Sequence, residues 1–176
     1  KARRGLLSRA EVSHLYTACK DARHRAILHL LYGCGLRRME AERLNLRDVD
    51  YRSALLYVRK GKGRKRRVIP LGSQVVAGLK VYVQEGRPEW QNRLSGSAYL
   101  LNDRGRRMRG NTINKHVKAL VRVAELGAGI SPHVLRHAIA THLLEQGMKI
   151  ERVRDFLGHG HLETTQLYTR VKTENL

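Results

Sequence analysis

The residues best placed for chemistry follow Ser131-Pro132, where a helix is expected to begin. His133, Arg136 and His137 stand at i, i+3 and i+4 and therefore share one helix face. A histidine and an arginine near a helix N-terminus suit an anion, because the exposed N–H groups and the helix dipole there favour negative charge. A basic amphipathic helix lying on a DNA backbone would present the same face. Zinc is the other chemistry to weigh, since His133, His137, His142, His159 and His161 are close in sequence. His133-Val-Leu-Arg-His137 has metalloprotease spacing, but Val134 stands where a glutamate is required and no cysteine lies nearby. No metal site is assigned. Two further groups are strongly cationic. Arg59-Lys60-Gly61-Lys62-Gly63-Arg64-Lys65-Arg66-Arg67 holds seven charges in nine positions, and Arg104, Arg106, Arg107 and Arg109 form a smaller patch. Both patches are expected to face DNA phosphates.

These groups need elements to hold them. Ser8-Arg9-Ala10-Glu11 is a capping box that opens a helix to about Ala18. A second helix is expected from about Ala22 to Tyr32, broken by Gly33-Cys34-Gly35, with a short helix from about Arg37 to Leu44. The runs 54–59 and 67–71 are β-type, and Lys60-Gly61-Lys62-Gly63 between them is turn chemistry, so the segment reads as a hairpin. Helices fit about 73–84 and 111–125, with a loop and a short strand from Tyr99 to Asn102 between them. Ser131 as N-cap and Pro132 at the first helical position open a helix to about Gln146, ended by Gly147. A helix from Ile150 to Leu157 stops at Gly158, and a last short helix is expected over 163–170. The fold class is α+β, mostly helical with a small antiparallel sheet.

Composition narrows the function. The 176 residues carry 35 Lys+Arg against 15 Asp+Glu, a formal net charge of +20, yet 41% are apolar, enough for a core. No apolar run approaches the roughly 18 residues of a transmembrane helix, and residues 1–5 lack a signal-peptide apolar region. Cys19 and Cys34 match no metal spacing and point to a reducing compartment. So basic a domain points to a polyanion, with nucleic acid foremost. Residues 1–142 carry 30 basic and 10 acidic side chains, whereas 143–176 carry five of each. The first part is built to face phosphates and the second to pack against protein.

Three separated segments bear a further resemblance. They are Gly35-Leu-Arg37-Arg-Met-Glu40, Pro132-His133-Val-Leu-Arg136-His137, and the run from Phe156 through Leu157-Gly158-His159 to Thr164-Thr165-Gln-Leu-Tyr168. Together they resemble the tyrosine recombinase family, which includes phage integrases and Xer-type recombinases. The resemblance covers nearly the whole chain in the family's order. It implies the family's catalytic-domain fold and a set of roles. Arg37 is similar to the first catalytic arginine and Glu40 to its supporting acid. Lys62 resembles the catalytic lysine, with Lys60 and Lys65 as competitors. His133 and Arg136 resemble the His-x-x-Arg pair, His159 the second histidine, and Tyr168 the nucleophile.

Such enzymes break and rejoin DNA through a 3′-phosphotyrosyl link and a free 5′-hydroxyl, passing through a Holliday junction. The residue types answer that chemistry. Two arginines can grip the non-bridging oxygens of the phosphate under attack, supplying charge that a metal would otherwise bring. A tyrosine is only about 0.1% phenolate at neutral pH, so the implied proton acceptor is His133. Lys62 is the implied donor to the leaving 5′-oxygen, His159 a hydrogen-bond donor to the phosphate, and Glu40 an orienting group for Arg37 or His133. The phosphotyrosine ester conserves the bond energy, so no cofactor is implied.

The resemblance also implies a double-stranded DNA recombination site as partner, a monomer without DNA, and a homo-tetramer on synapsed DNA. It places the protein in the cytoplasm of a bacterium, with the nucleoid, and not on a membrane. Residues 1–7 read as a linker from a missing N-terminal core-binding domain, and 8–176 as the catalytic domain. Only eight residues follow Tyr168, a shorter tail than many members carry. Two rivals stand beside this reading. One is a type IB-like topoisomerase, which would relax supercoils without strand exchange. The other is a basic DNA-binding module with no chemistry of its own.

Overall fold

A computed structural model describes residues 6–60 and 64–158, with the backbone alone at 60 and 64–66. Helix α1 (Arg9–Thr17) starts on the expected capping box: Ser8 Oγ accepts from Glu11 N at 3.1 Å and Ser8 N donates to Glu11 Oε1 at 2.9 Å. Helix α2 (Ala22–Leu28) is capped by Asp21 and runs on into a π-helical turn over His29–Gly33. Ala26, Ile27, Leu28, Leu30 and Leu31 are all buried. A helix apolar on so many sides belongs in the centre of a fold. Here α4 (Ser73–Val81) packs on α2, and α6 (Pro132–Glu145) packs on the π-turn.

The chain then turns at Gly35, whose φ of +62° is left-handed. Helix α3 (Arg38–Arg43) follows and packs on α5 (Gly110–Val123). The sheet is β1 (Val49–Asp50), β2 (Leu55–Lys60) and β3 (Arg64–Pro70), antiparallel in that order. Leu56 faces Ile69 and Val58 faces Arg67, with a register shift after Val58. The second strand of the hairpin begins at Arg64, earlier than the 67 expected from its apolar residues. An edge strand tolerates long basic side chains, so the charge run does not stop the pairing.

Two expectations are corrected. Tyr99–Asn102 is not a strand; it makes one isolated bridge, Leu101 to Arg107, and Ala98 just before it bridges Asn45. Its apolar run reflects burial, since Tyr99, Leu100 and Leu101 are all enclosed in the core. The helix expected over 73–84 ends as α-helix at Val81, and a π-turn (Tyr82–Gly86) and a 3₁₀ turn carry the path to Glu89. Helix α6 opens on Ser131, whose hydroxyl accepts from Val134 N at 3.4 Å. Helix α7 (Ile150–Leu157) ends at Gly158, left-handed at φ +76°, and packs on α6 and β3. The expected helix over 163–170 lies outside the described residues. No helix among the described residues is long and apolar enough to cross a membrane.

Candidate active site

The turn before α3 and the first turn of α6 meet at an open cleft of about 420 Å³. Arg37 and Arg38 line one side, Asn114 of α5 another, and Pro132, His133 and Arg136 the third. Arg37 lies 96 residues before His133 and 99 before Arg136, yet all three share this one cavity. The start of α6 adds the positive end of a 14-residue helix.

Arg37 is held from behind. It is the N-cap of α3, and Glu40 three residues on reaches back to it: Arg37 N donates to Glu40 Oε1 at 2.8 Å and Nη1 to Oε2 at 3.2 Å. A second arginine shares the same carboxylate. Arg67 Nη1 donates to Glu40 Oε2 at 2.7 Å and Nη2 to Oε1 at 3.1 Å, a two-pronged pair. The Arg67 side chain is 5% exposed, that of Glu40 10% and that of Arg37 22%, so the group opens to solvent only on the Arg37 side. Burial alone would raise the Glu40 pKa. The hydrogen bonds and charges of Arg67 and Arg37 outweigh it and hold the carboxyl below its ordinary value. Glu40 is therefore an anion at neutral pH, set behind Arg37 and shared with Arg67.

Arg136 is 2% exposed and grips two backbone carbonyls, Gly35 O at 2.5 Å and Leu157 O at 2.6 Å. Arg67 Nε takes the neighbouring Phe156 O at 2.9 Å. The last carbonyls of a helix lack intrahelical partners and carry partial negative charge, so two buried guanidinium groups satisfy both demands. Gly158 follows directly. A Cβ there would sit 2.7 Å from Arg67 Cδ, on a backbone that already disfavours L side chains. The point at which the chain leaves toward 159 is thus anchored beside the cleft. The His133 and His137 rings lie 3.9 Å apart between centroids. His142 is a packing histidine: it contacts Tyr32 Oη at 2.7 Å and Leu7 O at 2.9 Å.

The structure therefore brings Arg37, His133 and Arg136 together and sets Glu40 behind Arg37. Lys62, His159 and Tyr168 lie outside the described residues, as do the side chains of Lys60, Arg64, Lys65 and Arg66. Arg67 requires a correction. Expected among the phosphate-facing residues, it is buried, with its guanidinium spent on Glu40 and Phe156. The signal was available: inward Ile69 stands two residues on, and strand side chains alternate faces. Arg59 pairs with Asp48 at 2.5 Å. Arg107 is half-buried and ties down a loop through Glu42 O at 2.7 Å, Leu44 O at 2.9 Å and the Asn45 side chain. Arg104, Arg106 and Arg109 are exposed. Exposed Arg38, Arg43 and Arg47 were not singled out from sequence; Arg43 and Arg47 share a second cleft with Arg59, Arg107 and Arg109. Among the described residues no group of three or more His, Cys, Asp or Glu could hold a metal ion.

A mostly helical domain with a three-stranded sheet, presenting two arginines and a histidine to one cleft, defines the class. The phage integrase family model matches residues 6–175, and the chain belongs to that family. Tyrosine recombinase XerC of Oceanobacillus iheyensis is 36% identical over 98% of this chain and 58% of its own length. Tyrosine recombinase XerD of Proteus mirabilis is 40% identical over 97% of this chain and 56% of its own. The chain thus spans little more than half the length of these curated relatives. The crystal structure of XerA recombinase superposes with a TM-score of 0.86 at 30% identity, covering 99% of this chain and 65% of that one. XerH bound to its palindromic difH substrate in a post-cleavage complex shares the fold, with a TM-score of 0.79 at 24% identity over 97% of this chain and 50% of that one.

Proposed function

We propose that the protein is the catalytic domain of a site-specific tyrosine recombinase acting on double-stranded DNA. The observation that carries this is the convergence of Arg37, His133 and Arg136 on one cleft, beside the anchored end of the segment that leads to Tyr168. In the proposed reaction the scissile phosphate enters the cleft, where Arg37 and Arg136 bear on its non-bridging oxygens. The Tyr168 oxygen attacks phosphorus as His133 takes the phenol proton. The bond to the 5′-oxygen breaks, and Lys62 returns a proton to that oxygen. His159 hydrogen-bonds the phosphate. Rejoining reverses each step with a 5′-hydroxyl from the partner duplex, so the ester bond energy is kept and neither metal nor nucleotide is called for. Exchange between two duplexes involves four strands, and one nucleophile per strand makes a homo-tetramer on synapsed DNA, assembled from monomers. The DNA substrate places its work in the cytoplasm, at the nucleoid. Residues 1–7 serve as the linker from a core-binding domain and 8–176 as the catalytic domain.

The test uses a pool of nicked suicide duplexes randomised across the core. Covalent protein–DNA adducts are isolated under denaturing conditions and sequenced. The expected result is an enriched core sequence, an adduct mapped to Tyr168, and none from Tyr168→Phe. Absence of any adduct would refute the proposal. Relaxation of a supercoiled plasmid without strand exchange would assign the topoisomerase chemistry instead.

A further inference from the structure

Arg67 does not line the cleft, yet it touches the carboxylate behind Arg37 and the end of α7. Its guanidinium offers five N–H donors. Two terminal nitrogens are committed to Glu40, at 2.7 and 3.1 Å, and Nε is committed to Phe156 O at 2.9 Å. One side chain of β3 is thereby joined to the first turn of α3 and the last turn of α7. Both oxygens of Glu40 are shared between Arg67 and Arg37, so the direction of the Arg37 guanidinium depends on where Arg67 holds the carboxylate. The Arg67 stem also lies against Gly158, where even one added methyl group would collide with it.

A buried charge group is a poor means of stabilisation alone. An apolar trio of similar volume would avoid the desolvation cost and pack at least as well. What an apolar trio could not do is aim a guanidinium and grip a carbonyl in fixed directions. The geometry points to Arg67 as a positioning residue for strand cleavage. It sets Arg37 toward the phosphate, and it sets the end of α7, from which the chain continues to Tyr168, against the hairpin that carries Lys62. This rests on the recombinase reading above.

The experiment compares wild type, Arg67→Met and Arg67→Lys on a core duplex recovered from the suicide-substrate pool. DNA affinity, single-turnover adduct formation at saturating DNA, and the pH profile of that rate are measured well below each melting temperature. Misplacing a reacting group by about 1 Å costs on the order of 100-fold, so R67M should cleave about 10- to 100-fold more slowly at nearly unchanged DNA affinity. R67K should recover part of the rate. The acid limb of R67M should move to higher pH, because burial then raises the Glu40 pKa against Arg37 alone; R67K should keep the wild-type limb. Hydrogen exchange at 153–158 should quicken in R67M while α1 keeps its protection. A stability role alone would lower the melting temperature and leave the rate per folded molecule and its pH profile unmoved, and that result overturns the inference while the recombinase reading stands. If R67M does not fold, R67K decides, with a wild-type rate and wild-type exchange overturning the inference and a slowed rate supporting it. No adduct from wild type overturns both.

Discussion

Replacing Gly35 by alanine adds one methyl group at the turn that aims Arg37 and feeds a carbonyl to Arg136. The added Cβ would lie 2.9 Å from Phe156 Cε2, 3.0 Å from Leu157 Cδ2 and 3.3 Å from Ile139 Cγ2. None of these belongs to a flexible polar side chain that could swing into solvent. The backbone at φ +62° adds its own penalty, since an L side chain in the left-handed region costs about 1–2 kcal/mol. Overpacking of a filled core costs about 1–3 kcal/mol more. The combined loss is about 2–5 kcal/mol. In urea denaturation, with a slope of about 2 kcal/mol/M, the midpoint should fall by about 1–2.5 M at unchanged slope. Because Gly35 O accepts from Arg136 Nη1, adduct formation per folded molecule should also drop. A midpoint within about 0.3 M of wild type would mean that the turn and the α7 end relax freely. The tight packing described for this corner would then be refuted.

Further outcomes are expected. Glu40→Gln should cost about 3 kcal/mol, the lower end for breaking a buried ion pair, because the amide oxygen still accepts. The Glu40 pKa is depressed on folding, so the native state binds fewer protons there than the unfolded state. The wild-type advantage over E40Q should therefore be full above the ordinary value of 4.5 and shrink as pH falls through the folded value, in urea titrations at stepped pH. Burial foremost, with neighbouring positive charge, pushes His29 and His116 down to about 4. Global stability should accordingly fall as pH drops from about 6.5 towards 4, and a His29→Asn, His116→Asn double variant should flatten that slope in thermal melts. Neutralising exposed Arg38, Arg43 and Arg47 together should lower the slope of log affinity against log salt by about 2.7 if each meets a phosphate. An unchanged slope in fluorescence anisotropy titrations would place all three away from DNA.

The sequence by itself determined the local backbone. Ser8 with Glu11 and Ser131 with Pro132 start their helices, and Gly35 and Gly158 end segments in left-handed turns. Each signal acts over a few residues, between neighbours that meet whatever the rest of the chain does. The candidate site was legible through the resemblance of the segments around Arg37, His133 and Arg136 to the tyrosine recombinase motifs. Only the tertiary structure decided which way the arginines turn. Arg67 is one of seven charges in a basic run, and alternation with Ile69 marks only that it points inward, not what it meets there. Its partners lie 27 and 89 residues away, and the Arg136 partner at Gly35 lies 101 away. A buried guanidinium must find its acceptors or bear the cost of desolvation. Where those acceptors stand is set by how β3, α3, α6 and α7 pack together, which no short stretch of sequence contains.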